Sequence, residues 1–491
     1  MLPNQNKKVL PFSSVVGDLL KGPIQRIGEN NSIFESIQKM SRLKIGSLVV
    51  YNRDQPVGMI TKTDIIKYLA EERSLKEPVG KIMSKKIISI QMNQPIFDGL
   101  ILMSKNKISH LVVKDGEKEV GVISEQDWLT FQDHHPAVLM RTIESANTIE
   151  EIANVRKETN LLIQDLVLEE GNIATLNKLA TENNDRITKR VIEYMLNEMK
   201  SEGYGSPPVS YAWLAMGSEG RKAQTIYTDQ DNALIFENVS KDKLESVKEW
   251  FLRFAEKVTI GLEQCGFPLC EGKIMASNPD LCLPVEGWFE LLGKSLVQVD
   301  PDEVPKAIIY FDVRCLYGDE TLVEQFWKYL LEKAHNNVRF FRHYAETMMC
   351  VGRPPIKQWR WKLYPMFGIV PKDVNIKMEA LTLLDAAARF LALANGISET
   401  STLGRLQILK RKGVISSKIF DAVWYSYDFL MLLRTRNEYY NTDKDTLDLI
   451  RIRNLNRVHI QFFKISLQAV YDLQEFAFHK GGGFKMKWKF F

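Results

Sequence analysis

The first 130 or so residues alternate between two hydrophobic periods. Ile33, Phe34, Ile37 and Met40 recur at helical spacing. The run Ser47 to Tyr51 is short and apolar, and a turn containing Asn52, Asp54 and Pro56 follows it. A second strand, Val57 to Ile60, then runs into a helix that opens at Thr61. The same order returns at an offset of 63 residues, since Val57 aligns with Val120 and 120 minus 57 is 63. Val57-Gly58-Met59-Ile60-Thr61-Lys62-Thr63-Asp64 aligns with Val120-Gly121-Val122-Ile123-Ser124-Glu125-Gln126-Asp127, and Ile45 to Val50 with Ile108 to Val113. A fixed offset held without a gap is the mark of a duplicated structural unit. The hydroxyls of Thr61 and Ser124 stand where they cap a helix N-terminus, an end that also attracts anions.

From His134 to Lys200 glycine and proline are rare and apolar residues keep helical spacing, as at Ile149, Ile152 and Val155 and again at Leu161, Leu162, Leu166 and Leu168. Glu169 to Asn172 marks a break, and a further helix is expected over about Ile187–Met199, making a helical hairpin. His134-His135 reads as a loop doublet, with no nearby acid or cysteine to complete a ligand set. Gly203, Gly205, Ser206, Pro207 and Pro208 form the clearest boundary. Val209 to Met216 then reads as a strand and Ile226 to Phe236 as a second. From about Val351 onward the chain reads as helices. Leu381 to Leu393 forms one, Gly396 with Ser398 and Thr400 a stop and restart, and Phe420 to Leu433 and Val458 to Phe476 two more. Short connections between them predict an up-down bundle. The expected fold class is multidomain α/β and α: a repeat pair at 11–132, a helical connector at 133–202, an α/β domain at 203–340, a helical domain at 341–480 and a tail at 481–491.

Composition narrows the function. The 491 residues are 45% hydrophobic and 26% charged, which excludes a wholly disordered chain. Lys plus Arg is 65 against 61 acids, a net +4, too diffuse for a dedicated nucleic-acid binder. No apolar stretch approaches the ~20 residues of a membrane span. The N-terminus lacks an apolar signal core, and the five cysteines are odd in number. Together these predict a cytoplasmic protein with free thiols and no transmembrane segment. Cys265, Cys270 and Cys282, with four and eleven residues between them, match no common zinc pattern and read as buried thiols.

The chemistry concentrates after residue 216. A strand ends in Gly217-Ser218, a helix begins, and Gly220 lies close by, so backbone N–H groups can approach an anion. Arg221 is placed to add a bidentate phosphate contact. Asp229 and Asp231 are two residues apart, and the side-chain period of an extended chain is two, so both carboxylates face one way. Such a pair repels itself unless a cation sits between, the arrangement for one or two Mg²⁺ ions holding a nucleoside triphosphate.

The repeat at 11–132 resembles a tandem pair of CBS domains, the modules named after cystathionine β-synthase, because both copies carry glycine, two apolar residues, a hydroxyl and an Asp three residues later. The resemblance implies a cleft for an adenine nucleotide, AMP or ATP, with Thr61 and Ser124 on phosphate and Asp64 and Asp127 on ribose hydroxyls, and a homodimer formed through the pairs. The alternative for these residues is helix capping alone. The run GSEGR followed by TDQDNALI resembles the nucleotidyltransferase fold of the DNA polymerase β superfamily. It is most similar to the uridylyltransferase that modifies the nitrogen-signalling protein PII and to CBS-bearing nucleotidyltransferases related to it. Cys270 to Pro279, Phe311 to Arg314, Tyr317 to Asp319 and Thr402 to Leu406 carry the likeness further. It implies Mg²⁺-dependent transfer of a nucleoside monophosphate to an acceptor hydroxyl, on a regulatory protein in that family. Gly217, Ser218 and Arg221 would hold the nucleotide, Asp229 and Asp231 the metal, and the helical domain the acceptor, with Arg434 and Arg436 facing either the cleft or solvent. The chain departs from the pattern in two ways. Ala223 replaces an acidic residue, and the third carboxylate of the metal site falls to Asp312 or Glu271. A catalytically degenerate sensor of adenine nucleotides is therefore the alternative reading.

Overall fold

The computed structural model describes residues 15–20, 22–70, 74–125, 127, 142–168, 173–298, 308–357, 372–441 and 446–481. His134, His135 and the tail at 482–491 lie outside them. The chain forms two compact units, one of residues 1–141 with 169–175, the other of residues 142–168 with 176–491.

The first unit carries the repeat as two three-stranded sheets. β1 (Arg26–Gly28) pairs parallel with β2 (Ser47–Asn52), which pairs antiparallel with β3 (Gln55–Thr61). β4 (Ser89–Gln91), β5 (His110–Asp115) and β6 (Lys118–Ser124) repeat the arrangement. The register repeats as well: Val49 faces Met59 and Val112 faces Val122, and both hairpins shift register at the same step, Val50/Tyr51 and Val113/Lys114. Helices α1 (Ile33–Leu43), α2 (Lys62–Leu69) and α3 (Ile96–Asn106) belong to this unit. Ser32 and Glu35 form a capping box at the start of α1. Val49, Tyr51, Met59 and Val112 pack as one buried cluster that joins the two copies.

The second unit is built on a four-stranded sheet in the order β10-β7-β8-β9, where β7 is Tyr211–Ala215, β8 Asn232–Phe236, β9 Cys282–Pro284 and β10 Arg314–Gly318. β8 runs antiparallel to β7 and parallel to β9, and every residue of β7 and β8 is buried. The hairpin of α4 (Ile149–Leu168) and α5 (Ile173–Ser201) is present, with α5 starting well before the expected Ile187. It packs with the α/β part: Ile149, Val191 and Met195 crowd around Gly261 of the long helix over Lys241–Gln264. The one-turn helix Gly217–Gly220 follows β7, and helices Val285–Leu296 and Glu320–Ala334 follow β9 and β10.

The C-terminal part is a helical bundle of Val338–Val351, Thr382–Ala394, Thr402–Arg411, Ser417–Tyr440 and Arg457–Gly481. A π-helical turn, Lys377–Leu381, leads into the second of these. Ser401 caps the third through the Gly404 N–H, which explains the stop and restart after Gly396. Among the described residues no helix is long and apolar enough to cross a membrane.

Candidate active site

The strand expected over Ile226 to Phe236 begins only at Asn232. The segment before it bends at Ile226 and Tyr227 and stays outside the sheet, and the Thr225 hydroxyl donates to Glu438 Oε1 of the bundle at 2.8 Å. Alternation survives. Asp229 is exposed, Gln230 is buried with its amide donating to the carbonyls of Thr259 and Phe267, and Asp231 is partly buried. Both carboxylates thus point to one side. Backbone bonds fix them there, with Met216 N–H donating to the Asp231 carbonyl at 2.8 Å and Gln230 N–H to the Pro268 carbonyl at 3.0 Å.

Ligand atoms of Asp229, Asp231 and Cys270 all lie within 4.8 Å of one another. The Cys270 thiol is 3.4 Å from Asp231 Oδ1. Burial, then the neighbouring Asp229 charge, pushes the Asp231 carboxyl up to about 6. Two close carboxylates, one of them desolvated, fit a divalent cation, whose charge relieves that repulsion.

The glycine motif closes over the same spot. Gly217 has φ +54°, the left-handed region, and a Cβ there would sit 2.2 Å from Asp231 Oδ2. At Gly220 a Cβ would meet the backbone oxygen of Asp312 at 1.9 Å and that of Ala215 at 3.0 Å. Both glycines are thus demanded by packing around the carboxylates. Beside them lies a pocket lined by Ser218, Arg221, Thr228, Asp229, Lys377 and Arg434, with Ala223 and Asp385 also on its wall. Lys377 was not singled out from sequence; it stands on the π-helical turn, a feature no periodicity signals.

Asp312 has a different place from the one expected. The apolar run before it is a 3₁₀ turn, Ile308–Asp312, and its carboxylate is fully buried among three guanidiniums. Arg221 Nη1 donates to it at 2.7 Å, Arg389 Nε at 2.9 Å and Arg405 Nη1 at 2.7 Å. Burial alone would raise its carboxyl, but Arg389, Arg405 and Arg221 together hold it far below the usual carboxylate range. With its oxygens so engaged, Asp312 is corrected from metal ligand to counter-charge. Arg221 is corrected with it. Besides Asp312, its Nε lies 3.0 Å from Asp385 Oδ2, so two carboxylates already hold the guanidinium expected to grip phosphate. Glu271, the other candidate acid, is exposed on a turn and is not among the converging ligands.

Cys265 and Cys282 are buried thiols, as expected, and burial pushes both up to about 12. Cys270 is the exception: it is half-exposed and sits at the carboxylate pair. Its thiol is raised above the ordinary value, chiefly by burial, with the backbone of Ile274 and Gly272 opposing and the Asp231 and Asp229 charges adding to the rise. Arg434 is not a solvated surface residue. It is largely buried, with Nε 2.7 Å from Asp448 Oδ1 and 3.3 Å from Glu438 Oε1.

In the first unit the expected ligand residues satisfy each other. Asp64 Oδ2 accepts from the Thr61 N–H at 2.9 Å and hydroxyl at 2.7 Å, and Asp127 Oδ2 accepts from the N–H and hydroxyl of Ser124. Thr61 and Asp64 thus form a capping box at the start of α2, and Ser124 and Asp127 repeat its N–H and hydroxyl contacts. His110 lies within electrostatic reach of both Asp127 and Asp64, so the two copies converge on one locality.

Three regions of the chain match known families. Residues 16–71 and 79–133 match the family described as "CBS domain", residues 157–302 "Putative nucleotidyltransferase DUF294", and residues 339–480 "Putative nucleotidyltransferase substrate binding domain". An uncharacterized 17.7 kDa protein of Acidianus ambivalens is 34% identical over 118 residues, 24% of this chain and 71% of that protein. The L-aspartate semialdehyde sulfurtransferase of Methanocaldococcus jannaschii is 31% identical over 125 residues, and the chain spans only 24% of its length. A solved CBS domain protein from Pyrobaculum aerophilum, complexed with AMP, is 26% identical over 24% of this chain and 92% of that one, with a TM-score of 0.23. The chain thus carries, in order, two CBS domains, a domain of the family described as "Putative nucleotidyltransferase DUF294" and the substrate-binding domain described with it.

Proposed function

We propose that the second unit transfers a nucleoside monophosphate from a nucleoside triphosphate to an acceptor hydroxyl, with Mg²⁺ as cofactor and the CBS pair as its regulator. The observation that carries this is the convergence of Asp229 and Asp231 beside a pocket that Ser218 and Lys377 also line. Magnesium, when bound at the carboxylate pair, supplies charge neutralisation for a triphosphate and acidifies an acceptor hydroxyl. Asp229 and Asp231 hold the cation. The Gly217-Ser218 turn offers backbone N–H groups and a hydroxyl to phosphate, and Lys377 a mobile positive charge. Arg221 acts from behind, orienting the turn through its carboxylate partners. The bundle receives the acceptor, which by resemblance to the PII-modifying enzyme is a hydroxyl on a regulatory protein. The CBS pair binds AMP or ATP at Thr61, Asp64, Ser124 and Asp127, and pairs of such domains assemble the homodimer.

One observation favours a second reading, a sensor that binds nucleotide without chemistry. Among the described residues no third carboxylate joins the converging group, and Ala223 lines the pocket where the resemblance to the PII-modifying enzyme implies an acid. Pyrophosphate release separates the two. The full chain is incubated with Mg²⁺ and each of the four ribonucleoside triphosphates, with and without AMP, and cell lysate supplies the acceptor. Release that disappears in Asp229→Asn supports the transferase. Nucleotide binding without release under any condition selects the sensor.

A further inference from the structure

Resting on the reading that Asp229 and Asp231 hold a cation, we propose that Cys270 is a third protein ligand, becoming a thiolate when the metal binds, and that a thiophilic divalent ion of the zinc or cadmium class therefore competes with Mg²⁺ for this site and binds it more tightly.

Three observations lead there. The first is distance. Donors placed tetrahedrally around an ion, at ~2.1 Å for oxygen and ~2.3 Å for sulfur, lie roughly 3.5 Å from each other. Cys270 Sγ is 3.4 Å from Asp231 Oδ1, and Asp229 is within 4.8 Å of both. The second is the turn that presents the sulfur. Lys273, in the left-handed region at φ +54°, donates its N–H to the Cys270 carbonyl at 2.9 Å. That bend fixes the position from which the Cys270 side chain reaches the carboxylate pair. The third is rigidity. Asn232 of β8, 1% exposed, donates its N–H to the Ile274 carbonyl at 3.1 Å and accepts from Ala276 N–H at 2.8 Å through Oδ1. Asn232 directly follows Asp231, so one residue anchors both the carboxylate and the turn carrying the thiol. Carboxylates suit magnesium, but a thiolate shifts selectivity toward softer ions.

The test is a titration of the full-length, metal-stripped protein with Cd²⁺, followed by ultraviolet absorption and by calorimetry, and then displacement by Mg²⁺. Exposed Cys350 is first replaced by Ser to remove an adventitious thiol. A thiolate-to-cadmium charge-transfer band that requires both Cys270 and Asp231 is the expected result, with Cd²⁺ affinity falling at least about tenfold in Cys270→Ser, the lower edge of what losing even an outer partner of a ligand costs. Cys270→Asp serves as the folded control: it should bind a cation without the band and lose the preference for Cd²⁺ over Mg²⁺. Cd²⁺ binding that needs Asp231 but shows no band and is unchanged in Cys270→Ser would overturn the thiolate ligand and leave the cation site standing. A band that needs Cys270 but not Asp231 would overturn it too, as an isolated thiol. No binding sensitive to Asp229, Asp231 or Cys270, with or without nucleoside triphosphate, would remove both readings.

Discussion

Asp312→Asn tests the central electrostatic assignment. The side chain keeps its shape and loses its charge. In the native protein Arg221, Arg389 and Arg405 face two carboxylates, Asp312 and Asp385. In the variant three buried guanidiniums face one. Removing one member of a buried ion pair costs about 3–5 kcal/mol, because the partner is left charged and dry. Domain stabilities are about 5–15 kcal/mol, so a third or more of the total is at stake. Urea unfolding followed by tryptophan fluorescence measures it, since Trp213 and Trp288 are fully buried in this unit. The sign with pH is also fixed. A carboxyl held below its ordinary value stabilises the fold at neutral pH, and that contribution is lost as pH falls below the usual carboxylate range. The variant should therefore lose stability at pH 7 and show a flatter acid limb. Asp231→Asn provides the contrast: replacing a repelled carboxylate should leave stability equal or raised. A cost below about 1 kcal/mol for Asp312→Asn, or one matching that of Asp231→Asn, would refute the counter-charge role, since the expected penalty is several-fold larger.

Gly220→Ala should destabilise by at least about 1–3 kcal/mol, the usual range for overpacking, because the added methyl meets a backbone oxygen rather than a side chain that can swing away; an unchanged melting temperature would contradict this. Burial pushes Glu219 up to about 8 from an ordinary 4.5, with Arg314 opposing. The folded state then binds an extra proton between those values, so this group's stabilisation is full at acid pH and is lost as pH rises toward 8, by roughly a few kcal/mol. Glu219→Gln should remove that slope and exceed the native protein in stability near pH 9, and parallel curves for the two proteins would show that Glu219 stays ionised.

The repeat was legible in detail because local order and register both follow from side-chain alternation, which is why an offset read from Val57 and Val120 returns as the same bulge in both hairpins. The Asp229–Asp231 pair was legible for the same reason, although the strand boundary was not. Hydrogen bonding to neighbouring strands sets that boundary, and the partners of β8 stop at Asn232. Asp312 was misplaced because its meaning lies in residues far along the chain. Its partners are 91, 77 and 93 positions away, and an acid after an apolar run looks the same whether it faces a metal or three arginines. Cys270 was passed over because cysteine spacing was weighed only against other cysteines. The ligands it meets are carboxylates brought across by the turn that docks on Asn232.

The arginine cage also limits how substrates enter. Asp312 precedes β10, Arg221 follows the glycine turn, and Arg389 and Arg405 belong to two bundle helices. A hinge that swung the bundle away from the sheet would have to separate a dry carboxylate from two dry guanidiniums, a barrier that disfavours rigid-body opening. The loop from Lys222 to Asp229 holds no buried ion pair and is anchored at its end by Gln230, whose side-chain amide and backbone N–H donate to the carbonyls of Thr259, Phe267 and Pro268. Among the described residues the loop's hydrogen bonds to the bundle converge on Glu438, from the Thr225 hydroxyl and the Tyr227 backbone, and Tyr227 and Asp229 face solvent. Access to the pocket is then expected to come from movement of this short loop while the sheet and bundle stay joined, which would put the gate and one of the two carboxylates proposed to hold the metal in the same segment.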